Sequence, residues 1–134
     1  MERTTVMIVA VSPFHLALMA DLLEANDIRT VRATSAEDAF ETVQTTRLTL
    51  AVLDLDLPEE ASRKIMSFLA NPKVGVGIPV IAVGDRGQQE IFASVLAACE
   101  SSSLEKPIDT GMFPRRVIQE IRRHTTGVSR EALL

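Results

Sequence analysis

The chain has 134 residues, 46 % of them hydrophobic and 24 % charged, with a net charge of -4. That composition builds a packed core, which excludes a disordered chain, and it leaves little room for a second domain. The acidic balance excludes the broad basic footprint of a general nucleic-acid binder, the single cysteine excludes an internal disulfide, and no apolar run approaches the roughly 20 residues of a membrane-spanning helix.

The first residues, MERTTVMIVAV, lack the long apolar segment and small-residue cleavage site of a secretory leader. The expectation is one cytoplasmic domain over residues 1–134, with its core at about 5–124 and a frayed tail at 125–134.

In chain order, VMIVAV (6–11) reads as a first strand, apolar on successive residues. Ser12 then suits a helix cap and Pro13 the first helical position, and Phe14, Leu16, Leu18, Met19, Leu22 and Leu23 carry a helix that should stop near Asn26-Asp27. IRTVRA (28–33) is the second strand. Ser35 and Asp38 stand as a cap and its reciprocal acid for a second helix through Ala39, Phe40 and Val43.

LTLAVLDL (48–55) is the third strand, ending on Asp54 and followed by Asp56 and Pro58. A third helix covers roughly Glu60 to Leu69, with Ile65, Phe68 and Leu69 inward, and ends at Asn71-Pro72. IPVIAVG (78–84) is the fourth strand, and Gly84-Asp85-Arg86-Gly87 reads as a loop. A fourth helix spans about Gln88 to Ala98, a weak strand lies at SSL (102–104), and a fifth helix spans roughly Thr110 to His124, tolerating Pro114 in its first turn.

Apolar runs of this kind, alternating with helices, predict an α/β fold: a doubly wound five-stranded parallel sheet with helices on both faces. Ligands of such sheets sit outside the carboxyl ends of the strands, where Asp54 falls.

IVAVSPF, LDLDLPE, IPVIAVG and EKP, at the ends of strands 1, 3, 4 and 5, together carry a family resemblance. Over about residues 5–124 the chain resembles the response-regulator receiver domain of two-component signalling, a flavodoxin-like module with strand order 2-1-3-4-5. The resemblance places Asp54 at the phosphoacceptor position and Lys106 as the lysine that pairs with the acceptor and the phosphoryl group. Asp56 falls where the family mainly uses a backbone carbonyl.

The departures are equally specific. Ala10 and Val11 stand where the family carries its adjacent metal-binding acids, Gly84 where it carries a hydroxyl residue, and Ser103 where it carries a switch aromatic. A hard cation held by carboxylates normally neutralises the charge that develops in phosphoryl transfer, and Ala10 and Val11 offer no side-chain ligand. The expected function is therefore a stand-alone degenerate receiver, not an enzyme and without a cofactor, that signals through protein contacts with a kinase or an output protein. In it Asp54 is held by Lys106 in a salt bridge. One alternative keeps phosphorylation at Asp54, with a makeshift metal site that adds Asp56 or Asp85.

On the fifth helix, Arg115 stacks with Arg122 and Arg116 with Arg123 at seven-residue spacing. The plain reading is a solvated basic face near a helix C-terminus. The functional reading is a site for an acidic partner or a phosphate-bearing ligand, a cyclic dinucleotide being the example that the resemblance supplies. The apolar surplus of the fourth helix, Phe92 and Leu96 above all, points to a partner or homodimer face made with strand 5 and helix 5. Too few residues follow helix 5 for a DNA-binding domain. His15 and His124 lack ligand-spaced partners and read as surface residues, Cys99 reads as a buried thiol, and no glycine-rich phosphate loop is present.

Overall fold

A computed structural model of the chain describes residues 4–70 and 77–133. Its strands are β1 (Thr5–Val9), β2 (Arg29–Ala33), β3 (Leu50–Asp54), β4 (Val80–Gly84) and β5 (Ser102–Glu105). They form one five-stranded sheet in the order β2-β1-β3-β4-β5, every neighbouring pair parallel. Each apolar run expected to be a strand is one, and the strand order is the expected one.

The helices are α1 (Pro13–Glu24), α2 (Ala36–Thr45), α3 (Glu59–Ala70), α4 (Arg86–Ile91), α5 (Ala93–Ala98) and α6 (Met112–Leu133). Successive strand residues point to opposite faces, so the sheet divides its own side chains between two cores. Met7, Val9, Ala51, Leu53, Val80 and Ala82 face the core shared with α3 and the α4-α5 pair. Val6, Ile8, Leu50, Val52, Ile81 and Val83 face the core that Leu16, Met19 and Leu23 of α1 share with Phe113 and Val117 of α6. Covering both faces is what removes all water from β1, β3 and β4, each buried along its full length.

The caps sit where the chain signals them. Ser12 accepts from the backbone N–H of His15 and Ser35 from that of Asp38, while Asp38 Oδ2 accepts from the N–H of Thr34. Ser12 and Pro13 thereby fix the start of α1 immediately beyond β1, at the carboxyl edge of the sheet.

Three expectations differ from the structure. The helix expected over Gln88–Ala98 is two short helices, α4 and α5, broken at Phe92, whose backbone sits at φ -96°, ψ 6°. The break turns Phe92 and Leu96 inward, to 3 % and 8 % exposure. The Arg63 guanidinium lies 5.2 Å over the Phe92 ring, sealing it from outside. Residues 85–87 do not form a loop either: Asp85 caps α4, and Arg86 and Gly87 lie within it. Finally, α6 runs on past His124 through Gly127, which lowers helix propensity without ending a helix, where a frayed tail was expected. The expected end of α3 at Asn71-Pro72 lies outside the described residues.

Candidate functional site

The carboxyl ends of β1, β3, β4 and β5 converge on Asp54, the last residue of β3, whose side chain is fully buried. A buried carboxylate has to be satisfied by donors. Lys106 Nζ donates to its Oδ1 at 2.8 Å, and the backbone N–H of Asp56 donates to the same oxygen at 2.9 Å. The other oxygen, Oδ2, lies 2.9 Å from His15 Nδ1. An ionised carboxylate only accepts, so Nδ1 carries the proton in this pair.

Asp56 completes the cluster from the turn after β3. Its Oδ2 accepts from Lys106 Nζ at 2.8 Å and its Oδ1 from Gln88 Nε2 at 2.6 Å. The hydrogen bonds from Lys106 and then Gln88 hold the Asp56 carboxyl below its usual pKa. For Lys106 burial disfavours the charge, but the hydrogen bonds to Asp54 and Asp56 and their negative charges outweigh it, so its pKa is raised. The Lys106-Pro107 peptide that follows is cis.

The structure thus brings Asp54, Asp56 and Lys106 together and adds two residues that the sequence reading missed. His15 was expected on the surface; instead it is half-buried and bonded to Asp54, whereas His124 is exposed and lies 3.6 Å from Glu120. The signal for His15 lies in the cap: Ser12-Pro13 starts α1 at the edge of the crevice, and the third helical residue is the one that can turn back over it. Gln88 was legible as the last member of a D-x-x-Q capping box. Its side chain accepts from the Asp85 N–H, and Asp85 Oδ1 accepts from the Gln88 N–H.

The remaining positions diverge from a metal-dependent phosphotransfer site. Ala10 is fully buried in the core beside α1, and Val11 is exposed to 52 % with an aliphatic side chain. At Gly84 a Cβ would come within 2.8 Å of Gln88 Oε1 and 2.9 Å of Leu55 Cδ1, so those two side chains occupy the volume that a hydroxyl residue would need. Ser103 is exposed, and its carbonyl accepts from Arg116 at 3.5 Å. Beside it Gln89 Nε2 donates to the carbonyls of Ala82, Gly84 and Leu104, tying β4 to β5. Asp85 caps α4 through Oδ1 and lines the same cavity, while the group whose ligand atoms lie together is His15, Asp54 and Asp56.

Around this cluster opens a cavity of about 620 Å³, lined by Phe14, His15, Leu18, Asp56, Asp85, Lys106, Pro107 and Ile108. The arginine stripe divides in two. Arg115 and Arg122 line one shallow cavity of about 370 Å³ with Ile118 and Gln119, while Arg123 pairs with Glu120 and Arg116 with the Ser103 carbonyl. The expected partner surface at Phe92 and Leu96 is corrected by their burial; on α4 the exposed apolar residue is Ile91. Cys99 is half-buried, with its Sγ 3.7 Å from the Met66 carbonyl, and burial raises its pKa.

A doubly wound sheet with an acid at the end of its third strand and a lysine after its fifth defines the phosphoacceptor class of signalling modules. Residues 6–121 match the response regulator receiver domain, and the chain belongs to that family. A polar-differentiation response regulator, DivK of Brucella ovis, is 30 % identical over 112 residues, covering 81 % of this chain and 89 % of the relative. Among solved structures, NtrX of Brucella abortus superposes with a TM-score of 0.86 at 16 % identity, over 99 % of this chain and 30 % of that one. The chemotaxis response regulator CheY4 of Vibrio cholerae superposes with a TM-score of 0.75 at 14 % identity, over 90 % and 99 %. Among the described residues, no helix is long and apolar enough to cross a membrane.

The family implies a magnesium ion at these strand ends, and the residues do not fit it. Magnesium takes oxygen donors in near-ideal octahedral geometry. Here Ala10 and Val11, just beyond β1, supply no carboxylate, and the oxygen of Asp54 left open by Lys106 faces an imidazole nitrogen.

Proposed function

We propose that this receiver works as a degenerate one, signalling in the cytoplasm through protein contacts without magnesium-dependent phosphorylation of Asp54. The observation that carries the reading is the complete engagement of Asp54. Lys106 and the Asp56 N–H take one oxygen and His15 takes the other, so the charge is neutralised by groups of the chain itself. Loss of the metal alone removes several kcal/mol of transition-state stabilisation, roughly a thousandfold or more in rate.

Intact-mass spectrometry after incubation with acetyl phosphate and magnesium tests this. The expected result is unmodified chain over a time in which a receiver with the full acid set is phosphorylated. A stable acyl phosphate on Asp54, formed at that receiver's rate, would overturn it.

A second reading rests on Arg115 and Arg122, which flank one cavity with Ile118 between them. Two guanidinium groups around an apolar floor suit a phosphate-bearing ligand with a flat ring system, a cyclic dinucleotide among them. Calorimetry with such a dinucleotide should show binding that disappears in Arg115→Ala and Arg122→Ala; heat that ignores both substitutions sinks this reading. Output through a kinase or another protein, or through a homodimer, would use the face around Ile91 and α6, since Phe92 and Leu96 are internal.

A further inference from the structure

The mismatch with magnesium has a positive side. His15, Asp54 and Asp56 each present one ligand atom, and these atoms all lie within 4.8 Å of one another. They come from three separate places in the fold, α1, the end of β3 and the turn beyond it. The edges of this triangle that involve the imidazole are 2.9 Å, from His15 Nδ1 to Asp54 Oδ2, and 3.9 Å, from His15 Nδ1 to Asp56 Oδ2. Two ligands about 2.1 Å from one ion are roughly 3.0 Å apart at an octahedral angle and roughly 3.4 Å apart at a tetrahedral one. The two imidazole edges bracket both values, so His15 Nδ1 is spaced to share an ion with either carboxylate.

We infer that this site binds a divalent transition ion of the zinc class through His15 Nδ1, Asp54 Oδ2 and an oxygen of Asp56, in place of the hard cation of its family. One imidazole with two carboxylates is the donor set of borderline ions, not of magnesium. At Asp54 the assignment is compatible with the lysine, which holds Oδ1 while Oδ2 meets only His15; at Asp56 the ion takes an oxygen that Lys106 or Gln88 now holds, Oδ2 or Oδ1. Binding needs Nδ1 free of its proton, which the neutral ring carries on Nε2 instead, and the N–H···O bond gives way to two metal–ligand bonds. Of the cavity's remaining wall, Phe14, Leu18, Pro107 and Ile108 are apolar, which shields the ion on one side and leaves open positions toward the cavity for water or a partner's side chain. Metal occupancy would then tie α1 to β3 and make ion availability the input that phosphorylation does not supply. The inference rests on the degenerate reading of Asp54 above.

Zinc titrated into the full chain by calorimetry, with magnesium in excess throughout, tests it. Cobalt titrated in parallel and followed by its visible absorption reports the donor set. The expected result is one ion per chain and a cobalt spectrum of a nitrogen- and oxygen-bound site. Affinity should fall at least about tenfold in His15→Phe and in Asp56→Asn, both at side chains exposed enough for the fold to persist. It should be unchanged in His124→Ala, which removes the other histidine-carboxylate pair, on α6. Zinc binding that survives His15→Phe, that vanishes in His124→Ala, or that magnesium abolishes in competition overturns the inference. Failure here leaves the phosphodonor result untouched, whereas an acyl phosphate on Asp54 would remove the reading beneath both.

Discussion

The cleft at the strand ends has two unlike sides. Where β3 and β5 end, charged side chains form a closed network: Asp54, Asp56 and Lys106, with Lys106 bonded to both acids. Where β1 and β4 end, the residues are Ala10, Val11 and Gly84. If the second side were simply eroded, it would leave a void facing a buried charge. Instead Ala10 packs into the core, Leu55 and Gln88 fill the space at Gly84, and His15 reaches over from α1 to the open oxygen of Asp54. The difference teaches that a side without acids can still serve the charged one, because a buried carboxylate requires donors from somewhere.

Removing the cation of the charged side should have the largest effect. Lys106→Met leaves Asp54 buried beside Asp56 with the Asp56 N–H and one imidazole as its donors, and a broken buried pair costs about 3–5 kcal/mol. Urea unfolding should show that loss, with partial recovery when Asp54→Asn is added. A loss under about 1 kcal/mol would mean that water, not Lys106, satisfies the pair.

Ala10→Asp and Val11→Asp probe the apolar side at adjacent residues. The first puts a charge where no surface is exposed and should destabilise by about 3 kcal/mol; the second enters a half-exposed position and should change stability by under about 0.5 kcal/mol. Equal effects would show that the two acids can be restored without rebuilding β1.

Gly84→Thr should cost about 1–3 kcal/mol by overpacking against Leu55 and Gln88, and the added Gln88→Ala should recover part of it. Thermal unfolding of the two single variants and the double variant measures the coupling.

The smallest effect is in pH. Asp56 has its pKa lowered from 3.8 in the fold, so its contribution is complete above that value and is lost as pH falls through the folded one. Lys106 has its pKa raised from 10.5, so its contribution is complete below that value and is lost as pH rises through the folded one. Melting temperature should be level between these limits as far as the pair is concerned, and Asp56→Asn should flatten the acid limb.

Much of this architecture is legible in the chain. Strands buried on both faces read as apolar runs, and Ser12-Pro13 and Ser35 with Asp38 carry their helix starts openly. Asp54 and Lys106 are legible because each stands in a short motif at a strand end. His15 is legible only in its position, which Ser12-Pro13 sets at the crevice, because nothing within α1 marks an imidazole that pairs with a residue 39 positions away. Phe92 and Leu96 mislead for a related reason. Their spacing of four places them on one helix face, but whether that face looks in or out depends on the break at Phe92, which packing under Arg63 decides.

Gln88 belongs to two structures at once, the start of α4 and the charged network, and it also crowds Gly84. A hydroxyl residue at 84 crowds Gln88, and replacing Gln88 gives up a helix cap and a partner of Asp56 together. One side chain therefore couples residue 84, the start of α4 and the acid network, so a change at any of the three is felt at the other two.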